Sequence, residues 1–393
     1  MECKSVSFVC NFLSLNVKGI REKIKREKIL TWCKDKRSDI IFLQETYSTK
    51  DVEDKWKLLW DGSLYFSHGT NHSKGVLILI DSKLDAQMLN VVTDKDGRFI
   101  IMECIIQGLR LIIANVYCPV RGKELEQINF LYEFDKVLKE MNKNKNPIII
   151  GGDCNIIRNN DLDYMGTSKK LHQSRFNVHF EQFLDSSTLL DIWRTRNGIK
   201  RQFTYRQVNP FMQSRLDYWF ISEKLEEIVL KCNIIPSIAP DHSAVQLHFY
   251  NMPSNSLKMK GSYWKINNSL FKDDEYIKYM KEQIIKLKEE YQAEIEDKRV
   301  LWDLKKMKIS NFTRKYSKEK ARQRKEIINT LEKDIYFLEN ELLNKIDKEN
   351  IDSLEGKRRE LKACYDYINE GLKIRSRASY YESGESDTRY FTQ

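Results

Sequence analysis

The feature that most restricts the fold is a series of short apolar, β-branched runs in the first 250 residues. They occupy residues 5–15, 40–43, 75–80, 99–106, 109–117, 148–150, 216–221 and 244–249. Runs of this length, rich in Ile, Val, Leu and Phe and bounded by turn residues, are typical of buried strands. The chain must therefore build its core from sheets whose strands lie far apart in the sequence.

Helical patterns lie between some of these strands, at residues 21–36, 124–141 and 176–184. Strands outnumber helices, and strand and helix do not alternate strictly along the chain. This order predicts an α/β fold in which two sheets pack face to face and helices cover the outside.

The sequence changes character near residue 255. All six prolines lie at or before Pro253, and eleven of the fifteen glycines precede residue 260. Beyond that point, 30 basic and 26 acidic residues fall among 134 positions, which is typical of long exposed helices. We therefore predict a domain of residues 1–250, a linker of residues 251–260 and a mostly α-helical, charged extension of residues 261–393.

Composition also narrows the cellular setting. No run of about eighteen apolar residues, the minimum for a membrane-spanning helix, is present, so we expect no membrane partner. Lys4 and Asn11 interrupt the first fifteen residues, which favours a strand over a signal peptide. The eight cysteines form no C-x-x-C pair, as expected for thiols in a reducing compartment. We expect an intracellular protein of the nucleus, with the cytoplasm as the alternative.

Two features mark the helical extension. Residues 308–325 contain eight Lys or Arg against one Glu, and the candidate nucleic-acid contacts among them are Lys315, Lys320, Arg322 and Arg324. This run fits DNA or RNA phosphates as well as it fits a solvated helix face. Apolar residues then recur at helical spacing at Ile328, Leu331, Ile335, Leu338, Leu342 and Ile346. They indicate a helix or short coiled coil, and both internal packing and self-association remain open.

Polar residues follow the predicted strands at positions that a buried core does not need. They are Asn16, Glu45, Tyr117, Asp153, Asn155, Asp217 and the pair Asp241 and His242. A single Asp or Asn at a strand end is usually a turn former. A whole series of strand ends with side chains of this kind indicates a site for chemistry.

Six motifs contain these residues: LNVKG (15–19), LQET (43–46), NVYCP (115–119), GGDCN (151–155), SRLDYWFIS (214–222) and PDHSA (240–244). In number, order and spacing they resemble the endonuclease/exonuclease/phosphatase superfamily. That superfamily includes apurinic/apyrimidinic endonucleases, exodeoxyribonuclease III and the endonuclease domains of non-LTR, or LINE-type, retrotransposons. The resemblance covers residues 5–250 and implies a four-layer α/β sandwich that hydrolyses phosphodiesters with the help of a metal ion.

The resemblance also implies a role for each motif residue. Glu45 would be the principal metal ligand, with Asn16 and Asp241 as further ligands or in the surrounding shell. Oxygen ligands of this kind suit Mg²⁺, with Mn²⁺ as a substitute. Such an ion stabilises charge on the phosphate and activates water.

The remaining motif residues would serve the water and the DNA. Asp153 and Asn155 would orient and deprotonate the attacking water. Tyr117 and His242, the latter oriented by Asp217, would face the scissile phosphate. DNA is the expected partner, and the resemblance gives its further contacts to Thr204 and Arg215.

Departures from the superfamily pattern favour the retrotransposon branch. Abasic-site enzymes have an acidic residue where this sequence has Lys18, and an aromatic residue where it has Ser214. Residues 191–194, 203–205, 263–270 and 382–391 resemble LINE-type polyproteins, in which a reverse transcriptase would follow. No reverse-transcriptase motif is present in these 393 residues. The predicted activity is nicking of one DNA strand to leave a 3′ hydroxyl for priming.

Three alternatives stay open. The first is an apurinic/apyrimidinic endonuclease or an exodeoxyribonuclease III-type repair enzyme of the same fold. The second is a catalytically idle, transposon-derived nucleic-acid-binding protein, against which the intact acidic and histidine residues argue. The third, a lipid phosphatase of the superfamily, is disfavoured by the basic helices.

Overall fold

A computed structural model describes residues 8–166, 174–252, 268–291 and 298–383. Within these ranges the strands are β1 (Phe8–Asn16), β2 (Ile40–Gln44), β3 (Gly62–Ser67), β4 (Val76–Asp81), β5 (Ala86–Thr93), β6 (Phe99–Ile106), β7 (Leu109–Tyr117), β8 (Ile148–Asp153), β9 (Tyr164–Gly166), β10 (Leu189–Asp191), β11 (Tyr205–Gln207), β12 (Met212–Ser214), β13 (Asp217–Ser222), β14 (Val229–Ile235) and β15 (Ala244–Met252). The α-helices are α1 (Lys23–Asp35), α2 (Glu53–Lys57), α3 (Glu124–Met141), α4 (Arg175–Ser186), α5 (Ile192–Asn197), α6 (Asp274–Tyr291), α7 (Lys298–Asn344) and α8 (Lys348–Ser383).

The chain divides into two compact units, and each unit contains two separate segments of the sequence. The first unit comprises Met1–Lys258 together with Ile335–Gly356, and the second comprises Met259–Asp334 with Lys357–Gln393. Apart from Asn251 and Met252, which extend β15, the predicted linker lies outside the described residues, as do most of residues 263–270 and 382–391. In the described ranges, no helix combines the length and apolarity that a membrane span requires.

Two six-stranded mixed sheets form the first unit. Their strand orders are β14-β15-β1-β2-β4-β3 and β10-β13-β8-β7-β6-β5. The β1 and β2 pair and the β7 and β8 pair are parallel, whereas the other pairs within these sheets are antiparallel. A small third sheet has the order β11-β12-β9. The predicted α/β fold with two mixed sheets, helices and a helical C-terminal region is confirmed.

The main core lies between the two large sheets. Trp219 of the second sheet packs against Phe42 and Phe12 of the first, with ring centroids 5.1 and 5.7 Å apart. Phe249 joins Phe12 from the neighbouring strand at 5.6 Å. All four side chains are fully buried, and burial of each such ring contributes about 1.5–3 kcal/mol. This aromatic cluster holds the inner faces of the sheets together.

A second core lies on the outer face of the second sheet, where α3 and α4 pack. Phe130 and Phe134, four residues apart on α3, stack at 6.1 Å, and Phe134 meets Phe183 of α4 at 5.9 Å. The spacing of four puts the two α3 rings on one face of the helix.

Cysteines add to these cores as thiols: the described ones are all free, and six of the seven are buried.

The second unit is a set of packed helices. Within it α7 and α8 run antiparallel, with Asp334 paired to Lys357 at 3.2 Å and the guanidinium of Arg324 4.9 Å from the ring centre of Tyr367. Ile328 of the apolar stripe is buried. Packing within the chain therefore covers this part of the stripe.

Candidate active site

The polar strand ends meet at one edge of the two large sheets. Tyr117 at the end of β7 is aligned with Asp153 at the end of β8, and Asp153 is aligned with Asp217 at the start of β13. In the first sheet, Asn16 at the end of β1 is aligned with Gln44 at the end of β2. Because β8 and β13 are antiparallel, the start of one and the end of the other share an edge. Each sheet thus contributes half of the site.

A buried amide pair joins the two halves just below this edge. Gln44 Nε2 donates to Asn115 Oδ1 at 2.8 Å, and Asn115 Nδ2 donates to the carbonyls of Leu43 and Leu77 at 3.1 and 3.0 Å. Both amides are fully buried. The bond from Gln44 on β2 to Asn115 on β7 couples the two sheets at this point, although within the described residues the buried Gln44 Oε1 accepts no hydrogen bond.

Two donors hold the carboxylate of Glu45. Asn16 Nδ2 donates to Oε1 at 2.9 Å, and the Tyr47 hydroxyl donates to Oε2 at 2.9 Å. The Tyr117 side chain also lies near this carboxylate. Burial, followed by the charge of Glu45, raises the pKa of both tyrosines. Tyr47 was not predicted, because an aromatic residue two positions after Glu45 has no motif of its own.

Asn16 connects the two sheets. The same amide nitrogen that contacts Glu45 also donates to Asp153 Oδ2 at 2.9 Å, and Asn16 Oδ1 accepts from the backbone of Lys18 at 3.0 Å. A fully buried amide engaged in this way orients carboxylates. Asn16 thus bridges two carboxylates of the site, and its place as a metal ligand or in the surrounding shell stays a prediction.

Asp217, His242 and Asp153 form a buried series. His242 Nδ1 donates to Asp217 Oδ2 at 2.9 Å, and its Nε2 lies 4.0 Å from Asp153 Oδ2. Burial alone would lower the pKa of His242, but the neighbouring Asp217 outweighs it and raises that pKa to about 9. Burial, aided by the charge of Asp217, raises the pKa of Asp153 to about 7. The site thus pairs a cationic donor with a carboxylate that can accept a proton near neutral pH.

Asn155 is placed by a turn that also fixes Asp153. Its backbone N–H donates to Asp153 Oδ1 at 2.9 Å, and its Nδ2 donates to the Cys118 carbonyl at 2.9 Å. Gly152 precedes this turn inside β8: its φ is +142°, and a Cβ there would lie 2.0 Å from the Val116 carbonyl oxygen. Glycine at position 152 is thus required for the approach of β8 to β7.

Thr204 is a buried residue that holds the backbone at Asp217. Its hydroxyl accepts from the backbone N–H groups of Leu216 and Asp217 at 3.0 and 3.1 Å. The side chain is only 1% exposed, so the predicted DNA contact by Thr204 is corrected to a positioning role. The next residue, Tyr205, lies against His242 with ring centroids 5.1 Å apart.

Arg215 is likewise inside the protein. It pairs with Asp163 at 2.8 Å and with Asp191 at 2.8 Å, and it is 1% exposed. Arg158 and Arg194 extend this network to the same two carboxylates. A guanidinium saturated by buried carboxylates has no donor to offer DNA, so the predicted DNA contact by Arg215 is wrong. Its bonds tie the segment between β12 and β13 to β10 and to the loop before β9.

The donor set fits a divalent cation. Oxygen and nitrogen atoms of Asp153, Asp217 and His242 lie within 4.8 Å of one another in the described part of the chain. Asp217 engages His242 Nδ1 and raises the pKa of His242 to about 9, which favours the donor form of the ring and leaves the carboxylate oxygens as the better ligands. Within the described ranges, the buried Asp241 Oδ1 accepts no hydrogen bond, and Glu45 presents a fixed carboxylate. Oxygen donors of this kind suit Mg²⁺ or Mn²⁺.

The basic candidates of the extension all lie on α7, in the second unit. Lys320 pairs with Glu275 at 2.5 Å, Arg322 pairs with Glu319 at 2.9 Å, and Arg324 stacks on Tyr367. Lys315 is exposed. These partners engage part of the basic charge inside the unit, and contact with nucleic acid stays a prediction.

Comparison with known proteins decides the family. Residues 13–254 match the sequence profile of the Endonuclease/Exonuclease/phosphatase family, which is more than half of the chain. The chain belongs to this family. Membership places it among nucleases and phosphatases, which are hydrolases.

Two relatives and one solved structure are similar to this chain. The chain is 26% identical over 337 residues to the Transposon TX1 uncharacterized 149 kDa protein of Xenopus laevis, covering 85% of this chain and 25% of that protein. It therefore spans about a quarter of that relative's length. An exodeoxyribonuclease of Bacillus subtilis (strain 168) is 22% identical over 253 residues, covering 60% of this chain and 97% of the enzyme. The AP endonuclease LMAP from Leishmania major shares the fold, with a TM-score of 0.52 and 17% identity, covering 61% of this chain and 87% of that structure.

Proposed function

We propose that this chain is a divalent-cation-dependent endonuclease that nicks one strand of duplex DNA and leaves a 3′ hydroxyl. The observation that supports this proposal is one connected set of side chains. His242 contacts Asp217 and lies near Asp153, and Asn16 donates to both Asp153 and Glu45. This set combines a base, a cationic donor and cation ligands at one edge, as phosphodiester hydrolysis requires.

Each residue of the site has its own role in the hydrolysis. Asp153 accepts a proton from a water that Asn155 orients, and the water oxygen attacks phosphorus. His242 and Tyr117 donate hydrogen bonds to the phosphate oxygens as charge develops on them. The bond from phosphorus to the 3′ oxygen breaks, the 3′ oxygen takes a proton from solvent, and the phosphate remains on the 5′ side. A divalent cation, held by Glu45 and Asp241, supplies Lewis-acid stabilisation of the phosphate charge. We propose Mg²⁺ as the ion, with Mn²⁺ able to replace it.

The experiment is a nicking assay on supercoiled plasmid with Mg²⁺. We expect open circles whose nicks a DNA polymerase extends without prior end repair, which reports the 3′ hydroxyl. Glu45→Gln should reduce the rate by roughly 10³-fold or more, because one carboxylate ligand is lost. Glu53→Gln, a change of the same kind on α2, is the matched control and should nick normally. An inactive wild type in both Mg²⁺ and Mn²⁺, or an active Glu45→Gln, would contradict the proposal.

The biological role that we propose is target-site nicking by a retrotransposon. Its support is the transposon relative, to which this chain is similar beyond the catalytic domain, over 337 residues.

We further propose residence in the nucleus, RNA binding by the basic stretch of α7 and self-association through the C-terminal helices. Imaging of the tagged chain, RNA gel shifts and analytical ultracentrifugation test these three points.

A repair activity on abasic DNA is the second candidate, favoured by the relatives named exodeoxyribonuclease and AP endonuclease. The site itself argues against it. Lys18 is salt-bridged to Asp241, and Ser214 is 1% exposed and presents no aromatic wall to a sugar pocket. Paired assays on abasic and intact duplexes of one sequence decide between the candidates. A strong preference for the abasic duplex would support the repair enzyme.

A further inference from the structure

The loop between β14 and β15 carries Asp241 and is joined to the small third sheet. A short segment at the start of β11 holds this loop through the backbone. The Arg206 N–H donates to the Asp241 carbonyl at 3.0 Å, and the Ser243 N–H donates to the Thr204 carbonyl at 2.6 Å. Bonds of this kind form an antiparallel bridge. The position of the loop therefore depends on where this segment lies.

The same bridge brings the segment against the reacting groups. Tyr205 lies opposite His242 in the bridge, and the two rings have their centroids 5.1 Å apart. A shift of the segment would therefore move His242 together with the loop. Misplacement of a catalytic group by about 1 Å can cost about 10²-fold in rate, so the contacts that hold this segment matter for activity.

The side chain of Arg206 anchors the segment. Strand β11 is three residues long, and so is its partner β12, so their ladder alone gives little hold. The Arg206 side chain is 9% exposed, and its Nε lies 3.3 Å from Glu355 Oε1. Its Nη2 lies 3.5 Å from the Pro240 carbonyl oxygen. One guanidinium thus connects the loop of Asp241 with Glu355.

Glu355 belongs to a part of the helical region that packs on the catalytic domain. The segment Ile335–Gly356, from the end of α7 to the start of α8, is part of the first unit. Glu339 of this segment also lies near the Arg206 guanidinium. The Lys200 ammonium group lies 5.3 Å from the centre of the Tyr336 ring, in the same segment. The segment is therefore seated on the first unit at more than one place.

We propose that Glu355 is a positioning residue of the active site. Through Arg206 it fixes the loop that carries His242. Loss of one partner leaves a buried charge uncompensated, which is strongly unfavourable, so removal of the Glu355 charge should displace Arg206 and the segment around it. The part concerning catalysis rests on the proposed nicking function. The part concerning the loop does not, because it follows from contacts within the free protein.

Hydrogen exchange in the full chain, followed by mass spectrometry without DNA or metal, tests the position of the loop. Glu355→Gln removes the charge and keeps the size of the side chain. Glu349→Gln makes the same change at an exposed position of α8 and is the matched control. In Glu355→Gln, the peptides that contain the N–H groups of Arg206 and Ser243 should exchange about tenfold faster, because the bridge opens more often.

Peptides of the central strand β7 should exchange at the wild-type rate in both variants. Unchanged exchange at Arg206 and Ser243 in Glu355→Gln, or the same acceleration in Glu349→Gln, would overturn the inference. Equal acceleration in β7 would show that Glu355 stabilises the whole fold, and it would also overturn the positioning role.

Nicking kinetics test the consequence for catalysis. Glu355→Gln should lower kcat about 10- to 100-fold with little change in plasmid affinity, because the loop acts on the reacting phosphate. Glu355→Asp, which keeps the charge, should retain more of the rate. In an Arg206→Gln background, Glu355→Gln should cause no further loss, because the two residues act as one pair.

Additive losses in the double variant, or equal losses of affinity and turnover in Glu355→Gln, would overturn the role of Glu355 in catalysis. The outcome for the proposed function is separate. A wild type that nicks no DNA, together with the expected exchange in Glu355→Gln, would overturn the nicking function and support the positioning of the loop.

Discussion

His242 keeps its positive charge because Asp217 lies 2.9 Å from its Nδ1. The cation is the form that donates to phosphate, so activity should fall as pH rises through the His242 pKa of about 9. In Asp217→Asn the raising charge is lost, and this alkaline limb should move to lower pH by at least about one unit. We also expect kcat to fall roughly 10²-fold or more. Measurement of kcat between pH 6 and 9.5 checks both effects, and an unmoved limb would show that His242 does not set it.

His248 provides a test of stability that is separate from catalysis. Burial, aided by Lys231, lowers the pKa of His248 to about 4 from its usual 6.5. The unfolded chain therefore binds a proton before the folded chain does, and stability should be lost as pH falls from 6.5 to 4. His248→Gln should lose less stability over this range. Urea unfolding at pH 7.5 and 4.5 measures the difference, and His179→Gln, on the exposed face of α4, is the control. Equal losses in wild type and His248→Gln would refute the assignment.

At the level of single residues, the sequence shows which side chains stand at strand ends but not what they touch. Glu45, Asp153 and His242 could be selected because each lies at one end of an apolar strand pattern: the first two where a strand ends and His242 just before a strand begins. The partner of Arg215 could not be predicted, because Asp163 and Asp191 come from parts of the chain that only the folded sheets bring together. Tyr47 was missed for another reason: it binds Glu45 only two residues away, but no sequence motif marks it.

Arg215 has a measurable role at the level of whole strands, since it connects the segment just before β13 to β10. Arg215→Met would leave Asp163 and Asp191 short of their main partner in a buried place. Removal of one member of a buried ion pair costs about 3–5 kcal/mol. Urea unfolding should show a loss of this size, whereas Lys139→Met, which breaks an exposed pair on α3, should lose less than about 1 kcal/mol. Similar losses in the two variants would mean that the network does not hold the strands.

The strands of the two large sheets that sequence reasoning missed share one position in the fold. They are β3, β5, β10 and β14, the edge strands of those sheets, and the short strands β9, β11 and β12 of the third sheet were missed as well. Edge strands alternate buried and exposed residues or are short, as in β14, where Lys231 and Asn233 are exposed. They therefore lack the continuous apolar run that marks central strands. Helix α3, by contrast, spans Glu124–Met141, the same residues that its apolar periodicity predicts.

On the scale of the whole molecule, the basic stretch of α7 invites a salt test. Changing Lys315, Lys320, Arg322 and Arg324 to Gln in the full chain should weaken DNA binding and flatten its dependence on salt. The slope of log K against log salt should fall by about 0.9 for every phosphate that the protein no longer neutralises. Fluorescence anisotropy between 50 and 300 mM NaCl gives the slopes. An unchanged slope would mean that these charges serve only their partners within the helical unit.

The first unit is discontinuous in sequence, and this has a consequence for synthesis on the ribosome. Its main part ends at Lys258, but residues Ile335–Gly356 belong to it, and Glu355 pairs there with Arg206. At translation speeds of about 5–20 residues per second, the missing segment follows roughly 5–20 s later. Arg206 is 9% exposed, and its N–H donates to the carbonyl of Asp241. In a nascent chain, the Arg206 guanidinium beside the active site therefore lacks its partner Glu355 until the segment Ile335–Gly356 of α7 and α8 has been synthesised.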